Sequence, residues 1–156
     1  MAPMALSRPL KILIGLVGGF VLIQLVPYGH DHTNPPVTGE PTWDSPKTKA
    51  MFDRACADCH SHETKWPWYS NVAPVSWLVA HDIEEGREHL NFSDWSLMSA
   101  KDQAEAREEI IEEVEEGEMP IPIYPPLHPE AKLSPEEKTA FIAGLKATFG
   151  EAGDDD

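Results

Sequence analysis

Cysteine occurs only twice in the 156 residues, at Cys56 and Cys59, and His60 follows directly. The run Cys56-Ala57-Asp58-Cys59-His60 is the C-x-x-C-H pattern of covalent haem attachment. Two thiols separated by two residues on one helical turn can reach the two vinyl groups on one edge of the macrocycle. The imidazole of the next residue then projects beneath the ring toward iron. Other chemistry for these residues is weaker. A structural zinc site needs four ligands, and Cys56, Cys59, His60 and His62 are too crowded in sequence to surround one ion tetrahedrally without a distant contributor. A thioredoxin-like redox pair needs a βαβ setting, and a disulfide closing so short a loop contributes little entropy. The expected cofactor is one covalently attached haem c.

Iron in a low-spin electron carrier wants a second axial ligand. Met119 is the first candidate: it follows Gly117 at the end of an acidic helical run, and Pro120, Pro122, Pro125 and Pro126 after it make a stiff arm. A thioether opposite imidazole also raises the reduction potential relative to two imidazoles. The plain structural alternative is that Met119 fills a gap in the core. His128, nine residues further on in Leu127-His128-Pro129-Glu130, is the competing ligand and would give a bis-histidine haem of lower potential. His62, His81 and His89 lie on or near charge-rich helical segments, where a satisfied or solvated histidine is the usual outcome.

These residues need elements to position them. Ser45-Pro46 is a cap and first-turn pair, and Met51, Phe52 and Ala55 share a face of the short helix that leads into the cysteines. The segment HSHETKWPWYSNVAPVSW reads as a packed aromatic loop that enters a helix running from Val75 to about Glu85. Ser99 with Asp102 reads as a capping box for a helix that ends at Gly117, with Ala104, Ile110, Ile111 and Val114 on or near one stripe. Ser134, Pro135 and Glu137 open a last helix that ends at Gly150, with Ala140, Phe141, Leu145 and Phe149 as its apolar face. No segment alternates with period two between hairpin turns. The expected class is all-α: a small cytochrome c-like helical domain with long loops around the haem, which serves as the staple that so small a core needs.

Ile12 to Val26, ILIGLVGGFVLIQLV, is apolar apart from Gln24 and is preceded by Arg8 and Lys11. Its length lies between a signal-peptide core and a comfortable span, and no small-x-small cleavage site follows, so it reads as a retained transmembrane helix. The positive residues before it would place the N-terminus in the cytoplasm and the haem domain in the periplasm of a single-pass bacterial inner-membrane protein. The expected division is a membrane anchor over 1–27, a flexible tether over 28–44 containing His30 and His32, a haem c-binding domain over 45–150 and an acidic tail over 151–156. Residues 31–156 carry 10 bases against 27 acids, a net charge of -17 within a chain total of -15. Such a surface repels nucleic acid and suits basic partners.

From Trp43 to Phe149, about two-thirds of its length, the chain resembles the bacterial haem-binding-domain family, small single-haem proteins related to cytochromes c. The resemblance rests on Cys56 to His60, on Trp66-Pro67-Trp68-Tyr69-Ser70-Asn71 with Pro74 and Trp77, on His81-Asp82 and Gly86-Arg87, and on Asn91-Phe92-Ser93 with Trp95. Met119-Pro120, Tyr124, His128-Pro129 and Ala131-Lys132-Leu133 complete it. It implies covalent haem c on Cys56 and Cys59, His60 as proximal ligand and Met119 as distal ligand. The expected role is a one-electron carrier cycling between Fe(II) and Fe(III), not an enzyme, with redox proteins or a larger membrane electron-transfer complex as partners. The rival role is a haem sensor or peroxidase-like protein with an open or displaceable distal site.

Overall fold

The computed structural model describes residues 7–150. Among them the regular elements are helices: α1 (Arg8–Ile23), α2 (Pro46–Ala55), α3 (Ala57–His60), α4 (Val75–His89), α5 (Ala100–Glu116) and α6 (Pro135–Phe149). Single 3-10 turns occur at Trp68–Asn71, Phe92–Leu97 and Pro129–Ala131, and no strand occurs among the described residues. The expected acidic tail over 151–156 lies outside them.

The chain is helical, but the expected transmembrane helix is corrected. No helix among the described residues is long and apolar enough to cross a membrane. α1 has 16 residues, a length of about 24 Å at a rise of about 1.5 Å per residue, against a hydrocarbon core of about 30 Å. The apolar run in the sequence continues to Val26, yet the helix stops at Ile23. Gln24 is its C-cap residue. Its side-chain amide donates to the carbonyl of Ala73 at 3.0 Å, and its side-chain oxygen accepts the Ala73 N–H at 2.9 Å, so the chain turns away where the letters still read as a span. The assignment to the inner membrane with a periplasmic haem domain falls with the helix.

Backbone contacts group into two compact units. One comprises Met1–Thr33, described from Ser7, and Trp66–Asp82; the other comprises Asn34–Lys65 and Ile83–Asp156, described to Gly150. Within the first, the Gln24–Ala73 clasp is joined by a stack of His32 on Trp66, with ring centroids 4.3 Å apart, and by a hydrogen bond from the His32 ring to the Ser70 carbonyl at 3.1 Å.

The second unit holds the core. Phe52 of α2, Ile111 and Val114 of α5, Phe141, Leu145 and Phe149 of α6, and Phe92 and Trp95 of the intervening 3-10 turn are buried together. These apolar positions recur at helical spacing, so three helices each contribute one face. Local chemistry fixes the helix ends. Ser45 accepts from the Thr48 N–H, Ser99 from the Asp102 N–H, and Ser134 and Glu137 form a reciprocal capping box. At Ser99 the box is one-sided, because its hydroxyl donates to the Asp102 carboxylate at 2.8 Å. Gly117 closes α5 at φ 84°, a conformation that costs glycine little. Residues 34–40 have no regular structure but are bonded in place: Asn34 donates to the Thr64 carbonyl at 2.9 Å, and the Thr38 and Gly39 N–H groups donate to the Ser93 carbonyl at 2.9 and 3.0 Å.

Candidate haem site

α2 delivers the chain directly into the motif. The Cys56 carbonyl accepts from the Cys59 and His60 N–H groups at 3.2 and 3.0 Å, which winds Cys56 to His60 into one turn, α3. The two cysteines are not bonded to each other, and both are half-buried. The loop after the turn is held by Arg87, whose guanidinium donates to the Ser61 carbonyl at 2.9 Å and to the Thr64 hydroxyl at 2.8 Å. α4 approaches so closely that a Cβ on Gly86 would sit 2.8 Å from the Cys59 carbonyl oxygen and 3.1 Å from its Cβ. Only glycine lets helix and turn meet at that distance.

Cys56, His60 and Met119 line one open cleft. Phe52, Leu90, Phe92, Ile110, Phe141 and Leu145 make its wall apolar. Cys59 lies on the same turn, half-buried beside Gly86, and does not line the cleft. The cleft therefore brings together three of the four residues read from the sequence as haem-binding.

His60 is the most informative of them. Its Nδ1 lies 3.0 Å from the Leu90 carbonyl oxygen. A carbonyl can only accept, so Nδ1 carries the proton and Nε2 keeps a lone pair. Burial, opposed by the hydrogen bond to Leu90, holds the imidazole below the ordinary histidine range, so the ring is neutral at physiological pH. A buried neutral imidazole oriented through its other nitrogen is the usual form of a histidine metal ligand. Burial likewise pushes the Cys56 thiol up to about 12, helped by the neighbouring Cys59, so the sulfur enters the cleft as S–H although part of the residue is open to it.

Met119 follows the α5 cap. Its N–H, with those of Gly117 and Glu118, donates to the Glu113 carbonyl at 3.0 to 3.2 Å, which fixes where the thioether-bearing residue leaves the helix. The peptide bond to Pro120 is cis. His128 stands elsewhere. It is stacked on Tyr124, centroids 4.1 Å apart, with Nδ1 3.4 Å from Glu130, and does not line the cleft. His62 is satisfied from both sides: Nδ1 donates to the Pro36 carbonyl at 2.9 Å, and Nε2 accepts from the Asn91 amide at 2.7 Å. His89 lines the cleft but is two-thirds exposed and pairs with Glu109 at 2.8 Å. His81 lies in the other unit.

Among the described residues no group of three or more His, Cys, Asp and Glu is arranged to hold a metal ion, so zinc would lack its ligand set. The residues do fit a haem: an apolar slot, a neutral imidazole, a thioether and a cysteine turn. The Leu90 carbonyl, the close approach at Gly86 and the hydrogen bond from Tyr124 to Asp58 were not read from the sequence, which had named Gly86 and Tyr124 only as part of the resemblance. Of these only Gly86, a lone glycine inside a helix, gives a local signal.

A family model described as haem-binding domain matches residues 18–147. No curated protein and no solved structure matches the chain. The apolar cleft, its neutral histidine and the cysteine pair agree with the family that the match identifies: this chain belongs to the haem-binding domain family.

Proposed function

We propose that the protein is a monohaem c-type cytochrome that carries single electrons. The observation that carries this reading is that one apolar cleft is lined by Cys56, by a neutral His60 locked through Leu90, and by Met119 on a proline-rich arm. Cys56 and Cys59 would hold the haem covalently through thioether bonds to its vinyl groups, His60 would ligate its iron through Nε2, as the proximal ligand, and Met119 through its thioether, as the distal one. The haem, when bound, supplies an iron centre that gains or loses one electron.

The chain's own residues keep that change small. The Leu90 carbonyl fixes the plane and tautomer of His60, and the Glu113 carbonyl fixes the departure of the Met119 arm. Ligands held in place before the electron moves need little rearrangement when it does. The wall is mainly apolar, with Glu109, Glu113 and His89 also lining the cleft. The acidic surface, -15 overall, favours partners of positive charge.

Protein matured in a host competent for cytochrome assembly should show a six-coordinate low-spin absorption spectrum in both oxidation states, and its haem should stay attached through acid–acetone extraction. A high-spin ferric spectrum would favour the sensor or peroxidase reading. Extractable haem would end the covalent assignment, and a colourless chain without a porphyrin mass increment would end the haem reading.

A further inference from the structure

The arm that carries Met119 is secured at both ends. At one end the Met119 N–H is held by the Glu113 carbonyl; at the other Ala131 is fully buried. A loop fixed only at its ends keeps freedom in the middle. Here the middle is organised around one residue, Tyr124. Its N–H donates to the Ile121 carbonyl at 3.0 Å, its carbonyl accepts from the Leu127 and His128 N–H groups at 3.1 Å each, and its ring stacks on His128 within 11° of parallel.

Its hydroxyl leaves the arm altogether. The Tyr124 Oη donates to Asp58 Oδ2 at 2.6 Å, a bond that spans 66 residues of sequence. Asp58 lies between the two cysteines, and it too is held in place: Oδ1 accepts from the Lys65 N–H at 2.9 Å, and its carbonyl accepts from the Thr64 hydroxyl at 2.7 Å. Both Tyr124 and Asp58 are half-buried, which limits competition from water. A hydroxyl-to-carboxylate bond of this length belongs to the stronger class of hydrogen bonds.

We propose that the Tyr124–Asp58 hydrogen bond is a latch: it ties the arm carrying the distal ligand to the turn carrying the proximal one, and so sets how readily Met119 is displaced. Tyr124 is a positioning residue. The inference rests on the assignment of Met119 as distal ligand.

The test is imidazole binding to the full-length, haem-loaded ferric protein, followed by absorption, in wild type, Tyr124→Phe, Met119→Ala and the double variant. Phenylalanine keeps the stacking ring and removes only the hydroxyl, so Tyr124→Phe should bind imidazole about tenfold more tightly, the factor expected when one such bond no longer holds the arm. In the Met119→Ala background the same change should have no further effect, because no distal thioether remains to be released. A tenfold effect that persists without Met119, or an unchanged affinity in Tyr124→Phe while Met119→Ala alters it, overturns the latch. If Met119→Ala leaves both spectrum and imidazole affinity as in wild type, the ligand assignment fails instead, and the two failures are distinct. Should Tyr124→Phe not accumulate, Asp58→Asn keeps an acceptor but removes its charge. It should give a smaller shift of the same sign, and no shift would overturn the latch.

Discussion

At the residue scale the site depends on contacts too close to admit an extra atom. Gly86 shows how opposing effects are weighed. Replacing a glycine inside a helix with alanine gains about 1 kcal/mol of helix propensity, while overpacking a filled contact costs about 1–3 kcal/mol. At Gly86 the atom in the way is the Cys59 carbonyl oxygen, at 2.8 Å. Being backbone, it cannot rotate aside, and moving it means moving the turn that presents Cys56 and His60. Gly86→Ala should therefore lower the unfolding free energy by about 1 kcal/mol net and reduce the haem-to-protein ratio of purified material. A thermal melt and the ratio of haem to protein absorbance check it; full haem loading with a raised melting temperature would show that α4 and the turn are further apart. The cysteines and His60 were legible in the sequence because their chemistry is local, five consecutive residues. Their supports were not, since Leu90 lies 30 residues from His60 and a carbonyl oxygen carries no residue code.

At the element scale the helix starts were legible for the same reason: a cap and its recipient are three residues apart. α1 marks the boundary of that legibility, because Ala73, the partner of its C-cap residue, is 49 residues from Gln24. The α6 cap also yields a pH dependence. The Ser134 N–H that donates to Glu137 at 2.9 Å, and then the Arg54 guanidinium paired with the same carboxylate, hold Glu137 below the ordinary carboxyl value of 4.5. A carboxyl whose folded-state value is depressed adds stability that is complete above its unfolded value and is lost as pH falls through the folded one. In melting temperatures taken from neutral pH to about pH 3, wild type should exceed Glu137→Gln at pH 7, and the gap should close below pH 4.5. A gap constant across that range would mean that the carboxylate is not coupled to folding.

At the scale of the whole molecule, the apolar cleft opens among α2, α5 and α6, the helices that supply most of the core. Phe52, Phe141 and Leu145 belong to both: they are buried with the core cluster and line the cleft. An apolar cleft among its core helices is a poor end state for a short helical chain, because side chains around it lose contacts on one side and small domains have little stability to spare. The sequence suggested a staple for so small a core, but not that the cleft would be shared between helices remote in the chain. A ligand that binds only the folded state stabilises it by mass action, and a covalent one cannot be diluted away. The triple variant Cys56→Ala/Cys59→Ala/His60→Ala removes the proposed attachment and proximal ligation while leaving the rest of the cleft wall intact. Its melting temperature should fall by on the order of 10 °C, the transition should broaden, and the folded form should bind an apolar dye such as ANS, as a loosened core does. Circular dichroism melts and dye fluorescence on the two proteins measure it. An equally sharp melt at the same temperature, with no dye bound, would show that the three helices close on each other unaided and that haem is a passenger in this core.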